Sequence, residues 1–114
     1  QWSFAKGQDT YCPMGPWIVT ADEIADPHAL DISLTVNGVT KQNSNTRHMI
    51  FNTHALIAHL SSGITLEPGD VIATGTPEGV GISYVPPQFL KAGDVVEITI
   101  QNVGVLRNPV VAAG

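Results

Sequence analysis

This chain has one cysteine, five basic residues and no long apolar run, and each shortage removes a class of function. The lone Cys12 rules out an intrachain disulfide and fits a reducing, cytoplasmic setting. Lys6, Lys41, Arg47, Lys91 and Arg107 are scattered singly through 114 residues, and ten Asp and Glu leave the net charge at −5. A nucleic-acid groove or an anionic membrane surface needs clustered positive charge, so neither partner is expected. No stretch of about 18 apolar residues is available to span a bilayer. Any attraction for an anionic ligand must therefore be local.

Several catalytic signatures are missing as well. The Gly-rich segment Thr74–Gly81 lacks the Lys-Ser/Thr ending of a P-loop, and no serine sits in a Gly-x-Ser-x-Gly elbow. Cys12 has no evident base partner and reads as a packing residue. Pairs drawn from His48, His54 and His59 lie six, five and eleven apart. Two metal ligands on one helix face need the i, i+4 spacing, so these read as exposed histidines and His28 as a loop residue. Asp22, Glu23 and Asp26 form an acidic cluster, but carboxylates in the first turn of a helix are ordinary. Gln1 stands where an initiator Met would, with no signal-peptide pattern after it.

What the chain does have is punctuation. A domain of this length buries roughly two thirds of the surface of its unfolded chain. Two near-copies of one phrase, Leu66-Glu-Pro-Gly-Asp-Val-Ile72 and Leu90-Lys-Ala-Gly-Asp-Val-Val96, bracket the loop Thr74-Gly-Thr-Pro-Glu-Gly-Val-Gly81. Each reads as a Gly-Asp turn feeding a β-branched strand, over Val71–Thr74 and Asp94–Ile100. Three glycines and two threonines in the bracketed loop supply backbone that can approach a ligand and hydroxyls that can point at one.

Elsewhere, Leu30, Ile32, Leu34 and Val36 alternate with polar residues up to Asn37-Gly38, which predicts a hairpin returning over Val39–Asn43. Thr20-Ala-Asp-Glu23 spells a capping box that opens a short turn before Pro27. One helix is expected from about Thr46 to Ser61, capped by Ser44 or Asn45, ended at Gly63, with Met49, Ile50, Thr53, Leu56, Ile57 and Leu60 on one arc. Residues 103–110 suggest a last hairpin or edge strand, limited by Pro109. The expected fold is α+β, mainly β, with one packed helix.

Four motifs in order then carry a resemblance over nearly the whole chain. They are Lys6-x-x-Asp9-Thr10-x-Cys12-Pro13-x-Gly15-Pro16-Trp17-Ile18-Val19-Thr20, Asn43-x-Asn45-Thr46-x-x-Met49-Ile50-Phe51, Leu66-x-Pro68-Gly69-Asp70-Val71-Ile72-x-Thr74-Gly75-Thr76-Pro77-x-Gly79-Val80-Gly81, and Pro86-Pro87-x-Phe89-Leu90-Lys91-x-Gly93-Asp94. The sequence resembles the C-terminal part of the catalytic domain of fumarylacetoacetate hydrolase superfamily enzymes.

The resemblance implies a mixed β-roll, a homodimer, and a divalent metal, Mg²⁺ or else Mn²⁺ or Ca²⁺, that chelates a 2-oxo acid or 1,3-diketo acid substrate. It implies a hydrolase acting on carbon–carbon bonds, of the acylpyruvate or fumarylacetoacetate type met in aromatic compound catabolism. By motif match, Lys6 is the active-site lysine, Gly75 and Thr76 bind substrate, and Thr10 is close to the metal. The family's Glu-x-Glu and later Asp that hold the metal would precede Lys6, so residues 1–114 are expected to be a C-terminal segment that is inactive alone. Oxaloacetate decarboxylation and 2-oxo-heptenedioate isomerisation or hydration use the same enolate chemistry and stay open. So does a non-catalytic β domain that binds a small ligand or dimerises.

Overall fold

The expected hairpin is the centre of the architecture. In the computed structural model, which describes residues 1–112, β1 (Asp31–Val36) and β2 (Val39–Asn45) pair antiparallel through the Asn37-Gly38 turn. Asn37 and Gly38 both take positive φ, 52° and 78°, the geometry a two-residue turn of this twist needs. β3 (Val95–Ile100) pairs with the other side of β1, and β4 (Gly104–Pro109) pairs with β3. The result is a four-stranded antiparallel sheet in the order β2-β1-β3-β4, in a chain that is mostly β with few helices. Pro109 lies on the outer strand, where its missing N–H costs no central ladder bond.

Cross-strand rows knit the sheet. Leu34 stands opposite Ile98 and Ile98 opposite Leu106, with Ile32 against Ile100 and Val36 against Val96 on either side. Yet β3 is half-buried along its whole length rather than alternating, and Leu30 is the one buried hydrophobic residue among those described. The accessible surface is 9131 Å², against about 6,000 Å² for a compact chain of this mass. Ile18, Ile50 and Val85 are more than nine-tenths exposed. Exposed apolar surface on this scale is of the kind that marks interaction faces.

Three expected elements differ. The 16-residue helix is broken: a 3-10 turn at Thr46–His48 is followed by non-helical Met49–Phe51, and α2 proper spans Thr53–Ser61. The reason lies in two competing caps. The Asn45 side chain accepts from the Arg47 N–H at 3.0 Å and starts the short turn; the Asn52 side chain accepts from the Ala55 N–H at 2.8 Å and starts the long one. Gly63 follows two residues after the helix, as the sequence suggests. The strand expected at Val71–Thr74 does not form, because no described strand lies beside it to complete its hydrogen bonds. Conversely, Trp2–Lys6 forms a short helix, α1, that no cap or periodicity announced.

The repeated phrase is a structural repeat at its turns. Asp70 accepts from the Glu67 N–H and Asp94 from the Lys91 N–H, both at 2.8 Å, with Gly69 and Gly93 at φ 101° and 94°. The second turn feeds β3; the first releases the chain into the loop that begins at Thr74. His28 also departs from a free loop residue. Its Nε2 accepts from the Thr53 N–H at 3.1 Å, which places the ring at the start of α2.

Candidate functional site

The Thr74–Gly81 loop lies against β2, the open edge of the sheet, and one irregularity makes that possible. Between Leu34–Gln42 and Thr35–Thr40 the register slips, leaving Lys41 as an extra, bulged residue on β2. A bulge reverses which side of the strand the following residues occupy. Gln42 and Ser44 are thereby placed on the same face as Leu34 and Ile32 instead of the opposite one.

Gln42 is buried, and its side-chain amide holds the loop. The two hydrogens on Nε2 are shared among three acceptors, Thr76 Oγ1 at 2.9 Å, the Pro77 carbonyl at 2.7 Å and the Glu78 carbonyl at 3.1 Å. The bulged Lys41 adds a second anchor. Its carbonyl lies where a Cβ on Gly79 would stand, and Gly79 has φ 96°, so only glycine lets the loop come this close. The Lys41 Nζ donates to Gln88 Oε1 at 2.9 Å and sits 5.3 Å from the centre of the Tyr84 ring, tying down the chain beyond the loop. Gly81 repeats the close approach against the Gln88 carbonyl.

Opposite the loop, the end of β2 is fixed just as firmly. Buried Asn45 donates to Asp31 Oδ1 at 2.6 Å while accepting from Arg47. Thr46 Oγ1 accepts from the Leu30 N–H at 2.9 Å. Between these walls runs an open groove of about 970 Å³, bordered by Thr74, Gly75 and Thr76 on one side and by Asn43, Asn45 and His48 on the other. Its polar groups are mostly neutral amides and hydroxyls that can hydrogen-bond a small ligand, joined by the Asp31 and Glu78 carboxylates and by apolar Ile32, Met49, Ile50 and Phe51.

Of the residues expected at a site, the structure brings Gly75 and Thr76 to this groove and leaves Lys6 and Thr10 away from its lining. Lys6 ends α1 in solvent, with Nζ 5.9 Å from the centre of the Trp2 ring. Thr10 sits exposed at φ 67° in the segment that follows. That segment reaches the sheet through Trp17, whose Nε1 donates to the Val103 carbonyl at 2.6 Å over the space left by Gly104. The acidic cluster takes part in local turns: Thr20 donates to Glu23 at 3.3 Å, and Asp26 accepts from the His28 N–H at 2.8 Å. Hydrogen bonds from the Thr20 side chain and from its own backbone N–H lower the Asp22 carboxyl below the usual range. No group of three His, Cys, Asp or Glu among the described residues is placed to hold a metal ion. No described helix is long and apolar enough to cross a membrane.

Sequence reasoning missed Gln42, Lys41 and the tie from Asn45 to Asp31. A signal was present. The return strand Val-Thr-Lys-Gln-Asn-Ser-Asn carries one apolar residue in seven, far too few for a strand that packs on a core, and such a strand needs polar neighbours to satisfy it.

Comparison with known proteins agrees with this architecture. The family model described as fumarylacetoacetate (FAA) hydrolase C-terminal matches residues 1–111. A mitochondrial oxaloacetate tautomerase of Xenopus laevis is 57% identical over 111 residues, covering 97% of this chain and 35% of the relative. A 2,4-didehydro-3-deoxy-L-rhamnonate hydrolase of a Sphingomonas species is 53% identical over 111 residues, 96% of this chain and 39% of the relative. Among solved structures, maleylpyruvate hydrolase from Sphingobium sp. SYK-6, in complex with manganese(II) ion and pyruvate, superposes with a TM-score of 0.86. It is 47% identical and covers 95% of this chain and 38% of that one. The chain thus spans between a third and two fifths of the length of these relatives. With the motifs, the sheet and the model match in agreement, the chain belongs to the fumarylacetoacetate hydrolase family, as its C-terminal part.

Proposed function

We propose that this chain supplies one wall of the active site of an enzyme that cleaves a carbon–carbon bond in a small 2-oxo or 1,3-diketo acid of the acylpyruvate or fumarylacetoacetate type. The observation that carries the reading is the Gly75-Thr76 lip of the groove, held rigidly on β2 by buried Gln42. A hydroxyl and a backbone N–H presented on a fixed loop suit a substrate carboxylate or carbonyl. Lys6 supplies the positive charge that this acidic chain otherwise lacks, offsetting the enolate oxygen that develops as the bond breaks. For that role α1 must close over the groove from where it stands. Thr10 travels with it.

A divalent cation, Mg²⁺ in first place and Mn²⁺ or Ca²⁺ otherwise, belongs to this reading, and the manganese of the maleylpyruvate hydrolase complex supports it. The residues described here do not form a set that fits such an ion. Its ligands would come from sequence outside residues 1–114, and this segment by itself is expected to turn over no substrate. A homodimer in the cytoplasm is part of the same proposal. The uncovered apolar surface supports an added layer.

A second reading has a specific observation in its favour. The 57% identity to an oxaloacetate tautomerase supports enolate chemistry without hydrolysis, and decarboxylation of oxaloacetate or isomerisation or hydration of a 2-oxo-heptenedioate would use the same oxygen-stabilising wall. Assaying the full-length protein with an acylpyruvate, oxaloacetate and a 2-oxo-heptenedioate separates these. Turnover of the acylpyruvate supports the hydrolase; turnover of oxaloacetate alone supports the second reading. Silence with all three, in the presence of Mg²⁺ or Mn²⁺, would favour a non-catalytic ligand-binding or dimerisation domain.

A further inference from the structure

We infer that Gln42 is a positioning residue that polarises Thr76, fixing its hydroxyl as a donor into the groove; this rests on the proposed role of Thr76 in binding substrate. Two carbonyls orient the Gln42 amide. The Pro77 and Glu78 oxygens, 2.7 and 3.1 Å from the Gln42 side chain, can only accept. The atom facing them must therefore be the amide nitrogen, since the amide oxygen in that place would oppose two lone-pair-bearing oxygens. This fixes the orientation of the amide from the network itself.

Once the nitrogen is fixed, so is the hydroxyl. Gln42 Nε2 also faces Thr76 Oγ1 at 2.9 Å and has no lone pair to offer, so Thr76 cannot donate to it and instead shares the two amide hydrogens with the Pro77 and Glu78 carbonyls. The threonine hydrogen then has to leave in another direction. Thr76 is exposed and lines the groove, which is open to receive it. A hydroxyl that accepts one hydrogen bond also becomes a better donor in the next, because bonds in a chain polarise one another. The group it selects is an acceptor without a hydrogen of its own, such as a carboxylate or the oxygen of a 2-oxo group. An alcohol or amine in that place would gain less.

The bulge at Lys41 makes the arrangement possible, because without it residue 42 would point away from the loop. Gln42 is thus part of the recognition apparatus although it touches no substrate.

A double-mutant cycle on the full-length protein tests this, with pyruvate and Mn²⁺ as probe and affinity read by titration calorimetry. Thr76→Val removes a hydrogen bond to a charged acceptor and should weaken pyruvate binding roughly 10- to 150-fold. Gln42→Ala in the wild-type background should weaken it by the cost of releasing the loop and, beyond that, roughly 2- to 10-fold by leaving the hydroxyl free to turn. In the Thr76→Val background only the loop-release cost should remain, so the same Gln42→Ala change should cost roughly 2- to 10-fold less than in the wild type, the mark of a residue acting through its neighbour. Thr76→Ser should restore most of the dependence on Gln42.

A Gln42→Ala penalty of the same size in both backgrounds overturns the inference while leaving the substrate role of Thr76 intact. A Thr76→Val protein that binds pyruvate normally overturns the proposed role itself. If Gln42→Ala does not fold, neutron diffraction of the wild-type pyruvate complex reads the hydrogen directly. A deuterium on Thr76 aimed at the ligand upholds the inference, and one aimed at Gln42 refutes it.

Discussion

Gly79→Ala is the substitution that tests most sharply how the loop is held. Gly79 has φ 96°, and a Cβ there would overlap the Lys41 carbonyl while also pressing on the Gln42 side chain at 3.3 Å. An L-residue held at such a φ costs about 1–3 kcal/mol. The loop is tied down by the two N–H groups of one amide shared among three acceptors, at about 1 kcal/mol net per N–H, so docking through Gln42 is worth about 2 kcal/mol. Backbone strain alone consumes much of that, and the overlap with a main-chain carbonyl, which cannot swing aside as a side-chain tip can, takes the rest. The alanine variant is expected to undock residues 74–81 while the sheet stays intact. Hydrogen exchange of the peptide covering the loop should quicken roughly 10- to 100-fold, with little change in β1 and β3. Gly69→Ala is the control. It has a similar φ, 101°, with nothing within 4 Å of the added carbon, and should suffer strain without displacement of the loop. Loop exchange that is the same in Gly79→Ala as in Gly69→Ala would refute the reasoning.

Two further outcomes follow from the same structure. Lys6→Ala in the full-length enzyme should lower kcat about 100-fold or more while circular dichroism stays unchanged; near-normal turnover would remove Lys6 from the mechanism. The Asp94 carboxyl accepts hydrogen bonds from the Lys91 backbone and the Asn37 side chain, which lower its pKa below the ordinary carboxylate value. Since the folded value is the lower one, this stabilisation is full at neutral pH and disappears as acid protonates the group below about pH 4. Asp94→Asn, which offers one oxygen where two accept, should therefore unfold at lower urea than wild type at pH 7, with the difference shrinking by pH 3. A difference independent of pH would contradict the assignment.

What could be read from the chain alone was what depends on near neighbours. The β1–β2 hairpin was legible because Asn37-Gly38 and the alternation before it suffice, and the Gly-Asp turns because their hydrogen bonds close within three residues. The helix start was misplaced because apolar spacing ran through Met49 and Ile50 while two asparagines competed to cap. Val71–Thr74 looked like a strand by composition, but a strand is completed by a distant partner. Of the candidate site, Gly75 and Thr76 were visible as a Gly/Thr loop. Gln42 was not, since a one-residue bulge that turns it toward Thr76 leaves no mark on periodicity. Lys6 came from resemblance, and its separation from the groove depends on where α1 stands, which no local pattern in the sequence sets.

In the proposed function, the lip formed by Gly75 and Thr76 binds the acid end of the substrate. A crystal structure of the full-length protein with pyruvate and Mn²⁺ tests it directly. The account predicts Thr76 Oγ1 and the Gly75 N–H within about 3.2 Å of pyruvate oxygens, with Gln42 still holding the loop from behind. Pyruvate bound elsewhere, with Thr76 facing only solvent, would contradict it.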